Sequence, residues 1–278
     1  MNIREVEPEQ LDGGYLVSVS DLMSGLVFIF MITLVSFILN FQDASNKIEK
    51  TKLKMNQEIN RLDSVKNQLD DNEVVRTNIL ETIQKELEKK HDINVNVDIT
   101  HGVLRLNQNS ITFDSGSSEL DAKNYEKLIT VKKTLEGILP CFSINMHDKY
   151  PQCKDIDNTK HAYLEAIFIE GHTDNTNFIN DKNGYKNWQL SVNRAIKSYM
   201  ILVDSSPVLS EMKNENNEAV FSVSGYGSER PLPEHRHKTP TFDAANRRID
   251  LRFIMTPPSL TRIEKELIKH DKGISHVS

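Results

Sequence analysis

The chain has 278 residues, of which 34 are Lys or Arg and 40 are Asp or Glu, so its formal net charge is −6. Its 11 glycines and 9 prolines are too few for a collagen-like or low-complexity chain. The mild acidity and the lack of a basic cluster argue against a nucleic-acid partner. A mean hydropathy of −0.47 would suit a soluble protein. That average conceals one long apolar segment, which argues against a wholly soluble chain.

An uncharged run near the N-terminus predicts a membrane-spanning helix. No charged residue occurs from Leu22 to Leu39. At about 1.5 Å per residue, a helix from Leu16 to Leu39 can cross a hydrocarbon core of about 30 Å. A cleaved signal peptide is the alternative, but it has a basic start and an apolar region of only about 7–15 residues. We expect an N-terminal tail at residues 1–15 and an uncleaved helix in the lipid bilayer at residues 16–40.

Asp21 directly precedes the uncharged run and is the first candidate functional residue. A carboxylate within the bilayer is costly unless it faces water or a partner, so an ionisable group there is a functional candidate. The alternative is that the hydrocarbon begins after Asp21, which would then be a hydrated boundary residue. The sequence of this segment leaves both interpretations open.

Residues 41–90 contain neither Pro nor Gly and predict a helical linker, part of it a coiled coil. Apolar residues recur every seven positions, as in a self-association seam, and a second apolar stripe follows at helical spacing. Packing of the helix on its own domain is the equally open alternative to a dimer. The seam consists of Ile48, Met55, Leu62 and Leu69, and the second stripe of Val75, Ile79, Ile83 and Leu87.

Residues 91–256 predict one α+β domain, followed by a C-terminal tail at 257–278. Alternating apolar residues on both sides of a His-Gly turn indicate a hairpin near residues 95–106. Later patterns predict helices at 121–139 and 187–203 and strands at 164–170, 219–224 and 248–255. Mixed strands and helices of this kind form an α+β fold.

Three segments of this domain resemble the OmpA-like peptidoglycan-binding domain. In order and spacing they match the motifs of outer-membrane anchors and flagellar stator proteins. They run from Phe113 to Leu120 (FDSGSSEL), from Ile169 to Asp174 (IEGHTD) with Asn187 to Ala195 (NWQLSVNRA), and from Gly225 to Gly227 (GYG) with Pro231 and Asn246 to Asp250 (NRRID).

The resemblance implies a site for the peptidoglycan stem peptide, which presents an amino acid with both an ammonium and a carboxylate group. A carboxylate and a guanidinium can hold both ends of such a zwitterion through charge-assisted bonds. By resemblance Asp174 takes the ammonium and Arg194 the carboxylate, and a purely structural Asp174–Arg194 pair is the alternative. The residues expected around them are Thr173, Asn187, Leu190 and Arg247.

The membrane segment from Tyr15 to Leu26 (YLVSVSDLMSGL) is similar to the ion-carrying helix of stator B subunits. In that family a dimer of B lies inside five A subunits, and ion passage through the aspartates drives rotation. The resemblance implies that Asp21 carries the ion, a proton rather than sodium, although a carboxylate can serve for both. It implies no cofactor, and we expect no enzymatic activity.

The acidic N-terminal tail and the SVSDLMS sequence look more like the ZorB subunits of Zorya anti-phage defence systems than like flagellar B subunits. That resemblance implies a ZorA-like A subunit as the partner. A flagellar or transport stator B subunit and a passive tether from inner membrane to peptidoglycan remain alternatives.

The resemblance places the N-terminus in the cytoplasm, the helix in the bacterial inner membrane and the C-terminal domain in the periplasm. The charge flanking the membrane segment conflicts with this orientation, because Lys and Arg favour the cytoplasmic side. Arg4 alone precedes the segment, and four lysines follow it (Lys47, Lys50, Lys52 and Lys54).

Cys141 and Cys153 lie in an apparent insertion at residues 140–161. A periplasmic location would permit a disulfide between them, worth about 3 kcal/mol in the chain-entropy account, with free buried thiols as the alternative. His235 and His237 form only a weak metal signal, so the sequence predicts no metal site.

Overall fold

The computed structural model describes residues 13–106, 110–155, 162–178, 181 and 185–258. The predicted N-terminal tail and nearly all of the predicted C-terminal tail lie outside the described residues. The chain divides into two compact units, residues 1–63 and residues 64–278. The boundary falls within helix α1, which runs from Gly13 to His91.

Within the first unit, α1 carries the predicted apolar run. Among the described residues, one helix is long and apolar enough to cross a membrane, and its most apolar window has a mean hydropathy of 2.6. The side chains of that window are not buried within the chain. An apolar surface of this size requires lipid or a protein partner to cover it.

The second unit combines the end of α1 with a five-stranded sheet in the order β1-β2-β5-β3-β4. Strands β3 and β4 are parallel, and the other neighbouring strands are antiparallel. The predicted class, a long N-terminal apolar helix followed by an α+β domain, is confirmed. The strands are β1 Asn96–Asp98, β2 Val103–Leu106, β3 Leu164–Gly171, β4 Phe221–Gly225 and β5 Ile249–Met255.

Three further helices complete the unit: α2 Ala122–Ile138, α3 Tyr185–Tyr199 and α4 Pro207–Ser210. Helix α2 begins where the Asp121 carboxylate accepts a bond from the Asn124 amide at 2.6 Å, as an N-cap residue does. The predicted helix at 187–203 begins two residues earlier and changes after Tyr199 into a π-helical turn, Met200–Asp204.

The last third of α1 belongs to the hydrophobic core of the second unit. Each buried aliphatic side chain there contributes about 1.5–3 kcal/mol relative to an exposed one. For this stretch, the structure favours packing on the chain's own domain over a dimer coil. The core residues on α1 are Val75, Ile79, Leu80, Ile83 and Leu87, whereas the seam residues Ile48, Met55, Leu62 and Leu69 are exposed.

The insertion between α2 and β3 forms short 3-10 turns that include Leu139–Phe142 and Pro151–Asp155. Cys141 and Cys153 are buried there and joined by a disulfide, with 5.0 Å between their Cα atoms. Whether this bond forms in the cell stays a prediction.

Helix α3 connects the parallel strands β3 and β4 and lies against the ends of both. A Cβ atom added at Gly171 would lie 1.9 Å from the Ser191 carbonyl oxygen, and one at Gly225 would lie 2.5 Å from Val192 Cγ2. The two glycines therefore allow the helix to approach the strand ends, which brings α3 side chains next to the loop after β3.

We expect Gly171→Ala to lower the free energy of unfolding by about 1–3 kcal/mol, because the added methyl group forces α3 away from β3. Denaturant unfolding of the full chain in detergent measures the change. Gly137→Ala is the matched control, since a Cβ atom at this position in α2 meets no other atom within 4 Å. An equal loss in both variants would contradict the close approach of α3 to β3.

Candidate functional site

The candidate site lies in the loop that follows β3, the strand between β5 and β4. The His172 amide donates to the Arg248 carbonyl at 3.1 Å, and the Thr173 amide donates to the Gly227 carbonyl at 2.9 Å. These two bonds hold the loop to the segments beside β5 and β4. The next residue, Asp174, is therefore held at a fixed position at the edge of the sheet.

A cavity of about 100 Å³ opens at this edge. The structure brings all six residues that the resemblance implies into its lining: Thr173, Asp174, Asn187, Leu190, Arg194 and Arg247. The predicted residues thus belong to one site, although what the site binds stays a prediction. Ser115, Gly116, Thr176, Asn177 and Phe178 complete the lining.

Asp174 forms its ion pair with Arg247 and not with Arg194. Arg247 Nη1 donates to Asp174 Oδ2 at 2.8 Å, and both side chains are almost completely buried. The Asp243 amide also donates to Oδ2, at 3.3 Å, and the Thr176 amide donates to Oδ1 at 3.3 Å. The sequence analysis considered a structural ion pair between Asp174 and Arg194. In the structure, Arg247 is the partner of Asp174 instead.

Arg194 is completely buried and bonded to the backbone. Its Nε donates to the Ser117 carbonyl at 2.9 Å, Nη2 donates to the Asp114 carbonyl at 2.9 Å, and Nη1 donates to the His172 carbonyl at 3.2 Å. These bonds use three of its five N–H groups. Arg194 thus fixes the wall of the cavity, and two N–H groups remain for an acceptor.

Burial makes the charged form of Arg194 less favourable than it would be in water. Its pKa is lowered to about 10, chiefly by burial and also by the nearby charge of Arg247, while Asp174 partly opposes both. The group stays positively charged at neutral pH. Two guanidinium groups and one carboxylate therefore surround the cavity, so the site has an excess of positive charge.

Several polar atoms of the lining have no hydrogen-bond partner among the described residues. They are Thr173 Oγ1, Thr176 Oγ1 and Arg247 Nε. Thr173 and Arg247 are both more than nine-tenths buried. A buried polar atom without a partner costs about 1–3 kcal/mol, so these atoms indicate a ligand or water in the cavity.

Helix α3 faces the site with an unusually polar buried surface. Asn187, Ser191, Arg194 and Ser198 are buried on it. Asn187 Nδ2 donates to the Thr176 carbonyl at 3.0 Å, and Ser191 Oγ accepts from the Gly227 amide at 2.9 Å. Leu190 is half-buried. These side chains hold the loops around the cavity, which a purely apolar helix face could not do.

His172 belongs to a buried ionic network and not to the cavity lining. It stacks on the Tyr226 ring with 5.3 Å between ring centres. Burial lowers its pKa to about 2, and nearby arginines, Arg248 first among them, act in the same direction. A histidine that stays neutral in this way is a packed residue, as its place at the strand end indicates.

Sequence reasoning did not single out Asp243 and Phe242. The Asp243 amide bonds to Asp174, and the guanidinium carbon of Arg247 lies 4.0 Å from the centre of the Phe242 ring. Both residues lie shortly before the NRRID motif, separated from it by Ala244 and Ala245. Their proximity to this motif was the only feature of the sequence that could have indicated a place in the site.

Asp21 lies on a face of α1 that contains several small residues beside Val17. Ser18, Ser24 and Gly25 are three or four positions away and so share this face. Ser24 Oγ donates to the Ser20 carbonyl at 2.8 Å, which satisfies that hydroxyl group within the helix. The Asp21 side chain is exposed in the single chain.

Comparisons with known proteins give fold-level likeness only. No family model and no curated protein matches the chain. The periplasmic domain of MotB from Helicobacter pylori is similar at 20% identity and a TM-score of 0.36, over 60% of this chain and 85% of that one. The OmpA-like domain of FopA1 from Francisella tularensis is similar at 14% identity and a TM-score of 0.34, over 59% of this chain and 79% of that one. A putative MotB-like protein from Desulfovibrio vulgaris is similar at 17% identity and a TM-score of 0.37, over 72% of this chain and 96% of that one. Identities and TM-scores this low carry no argument about function, which must be inferred from the chemistry of the site.

Proposed function

We propose that this chain is a single-pass inner-membrane protein that binds peptidoglycan through the Asp174 cavity and serves as the B subunit of an ion-driven stator. The observation that carries the wall-binding part is the buried Asp174–Arg247 pair beside partnerless polar atoms. The resemblance of the motifs to OmpA-like domains supports the same ligand. The proposal needs no cofactor and no enzymatic step.

A zwitterionic ligand suits this site for an electrostatic reason. Separating a buried ion pair leaves each charge without compensation, which is strongly destabilising. An amino-acid end can bring its ammonium to Asp174 and its carboxylate to Arg247 at the same time, so that neither charge is left alone. Arg247 Nε and the remaining N–H groups of Arg194 offer donors for that carboxylate.

The size of the cavity agrees with this kind of ligand. Sites for whole drug-sized molecules usually measure about 300–1,000 Å³, whereas this cavity measures about 100 Å³. It therefore suits the end of a stem-peptide side chain and not a sugar. A small, charged cavity can recognise the peptide part of peptidoglycan while the glycan strands stay outside.

The proposed orientation places the second unit in the periplasm and the N-terminus in the cytoplasm. The placement of Cys141 and Cys153 at bonding distance is compatible with this orientation, because disulfides persist in oxidising compartments. The lysines after the apolar run oppose it under the positive-inside rule. A wall-binding site is useful only outside the cytoplasm, so the proposed wall-binding role favours the periplasmic orientation.

The proposed motor role rests on Asp21 and its surroundings in α1. Small residues beside an aspartate allow a neighbouring helix to approach closely, and moving one charge across 100 mV yields about 2.3 kcal/mol. We propose a proton as the ion and a pentamer of A subunits around two B chains. The exposed apolar seam on α1 supports the B dimer.

Within the stators, we propose a subunit of a Zorya anti-phage system with a ZorA-like partner. The support is the acidic N-terminal tail together with the SVSDLMS sequence around Asp21. A tether without ion flow would need the same wall site but not the aspartate, so Asp21 separates the two functions.

We expect Thr173→Val to weaken binding to purified peptidoglycan by about 2- to 10-fold, because one hydrogen bond to the ligand is lost. The unliganded chain should be equally stable or more so, since the hydroxyl has no partner among the described residues. The fraction of the full chain that co-sediments with peptidoglycan, together with the thermal midpoint, measures both effects. Asp174→Asn should abolish sedimentation.

Thr256→Val provides the matched control for that experiment. Thr256 Oγ1 is likewise buried without a partner among the described residues, but Thr256 does not line the cavity. The control should sediment like the parent. Normal sedimentation of both Thr173→Val and Asp174→Asn would show that the cavity does not bind the wall.

We expect Asp21→Asn to abolish ion flow and phage protection in cells that carry the complete assembly. The change keeps the shape of the side chain but removes the charge that carries the ion. A pH-sensitive cytoplasmic dye and plaque counts are the measurements. Asp43→Asn is the matched control, because Asp43 lies on the same helix beyond the apolar run.

Membrane insertion and peptidoglycan sedimentation should be the same in parent, Asp21→Asn and Asp43→Asn. If the Asp21→Asn cells keep full phage protection and the dye response of the parent, the motor role is wrong and a tether remains.

A further inference from the structure

The loop between β4 and β5 brings two histidines and an aspartate together outside the wall-binding cavity. Asp243 Oδ2 lies 2.8 Å from His235 Nδ1 and 2.7 Å from His237 Nε2. The sequence showed only the two histidines, which form a weak signal by themselves. We propose that His235, His237 and Asp243 bind one divalent transition-metal ion of the zinc type.

The donor set fits such an ion. Two neutral imidazoles and one carboxylate with an open position are typical of zinc sites, with bonds of about 2.0–2.2 Å. Ligand atoms around a tetrahedral ion then lie about 3.3–3.5 Å apart. The three atoms here lie within 4.8 Å of one another, so shifts of less than about 1 Å would admit the ion.

Solvent can reach the site, which an exchangeable ion requires. The side chains of His235 and His237 are 38% and 33% exposed, whereas that of Asp243 is 9% exposed. Both histidines line an open cavity of about 450 Å³. The carboxylate is thus the buried ligand of the site, and the two histidines are the ligands that face the solvent.

A second layer of hydrogen bonds holds the ligands in place, as is usual around metal sites. Asp243 Oδ1 accepts from the Ala245 amide at 2.9 Å. Asn246 Nδ2 donates to the His235 carbonyl at 2.8 Å, and Asn175 Nδ2 donates to the His237 carbonyl at 2.9 Å. These bonds fix the Asp243 carboxylate and the backbone of both histidines. Asn246 Nδ2 also lies 3.4 Å from Asp243 Oδ2, a long contact that an ion on this oxygen would replace.

The neighbouring charges are mixed. Arg230 and Arg236 line the same cavity and oppose a cation, whereas Glu229 favours one. Arg230 has its guanidinium carbon 3.9 Å from the Tyr226 ring centre, so it has its own partner. The coordination bonds must outweigh this local repulsion, which predicts moderate affinity.

A second cluster of possible ligands among the described residues is much less suitable. Glu170, His172 and Asp250 are fully buried. Arg252 binds both oxygens of Glu170 at 2.7 and 2.9 Å, and Arg105 and Arg248 bind Asp250. The arginines already compensate these carboxylates, so no charge is left for an ion.

Metal binding would connect to the wall-binding cavity through the backbone. The Asp243 amide donates to Asp174 Oδ2 at 3.3 Å, and the neighbouring Phe242 ring stacks on Arg247. An ion on Asp243 would hold this segment beside both charged residues of the cavity. The metal site itself does not depend on the proposed function.

The proposal is tested on the untagged, oxidised full chain in detergent, after a chelator has removed any bound metal. Titration calorimetry then measures the binding of zinc. We expect one zinc per chain with micromolar affinity, and at least tenfold weaker binding in His237→Ala and in His235→Ala. Calcium, which prefers oxygen ligands, should not bind there.

His101→Ala is the matched control, because His101 pairs with Asp98 at 3.0 Å but has no second histidine in that pair. It should bind zinc like the parent. The proposal is overturned if the parent takes up no zinc at submillimolar concentrations, or if His237→Ala and His235→Ala both bind zinc as the parent does. Sedimentation of the His235→Ala and His237→Ala variants with peptidoglycan is measured as well. If it equals that of the parent, the loss of zinc binding is separate from any loss of wall binding.

Discussion

The proposed wall-binding site depends on one ion pair, Asp174 with Arg247, both of whose side chains are almost completely buried. Such a pair adds little to stability, because desolvation of both charges offsets much of their attraction. Its value lies in specificity, since only a ligand that brings both charges can enter without leaving one of them uncompensated.

The rest of the domain fixes the geometry of that pair. Arg194 joins three backbone carbonyls from two separate loops. The two glycines at the ends of β3 and β4 let α3 approach closely enough for those bonds to form. The buried polar face of α3 is therefore a structural requirement of the site, and the apolar core, to which Ala195 of α3 also belongs, provides the stability that these polar side chains do not.

Much of the fold was predictable from local patterns. The alternation of apolar residues gave the hairpin of β1 and β2, and helical spacing gave α2 and α3 to within a few residues. The six residues that the motifs indicated for the site all line the cavity, beside five others. The heptad-like stripe of α1 could not distinguish a dimer seam from a core face, because both require the same apolar spacing, and Val75 to Leu87 proved to be core.

The pairing within the site was not predictable. Arg194 binds carbonyls of residues 77 and 80 positions away, and a carbonyl group is present on every residue, so no side chain indicates it. The motifs therefore did not indicate that Arg247, and not Arg194, pairs with Asp174. Asp243 was missed as a partner of both histidines and Asp174, because its role arises from a loop whose path the sequence does not show.

The most direct test of the central claim is the affinity of the full chain for a soluble stem peptide with a free zwitterionic end, measured by titration calorimetry. The same peptide acetylated on that ammonium and the same peptide amidated on that carboxylate are the comparisons. The account predicts that each modification weakens binding at least tenfold, because each leaves one member of the Asp174–Arg247 pair uncompensated. Equal affinity for all three peptides would contradict it.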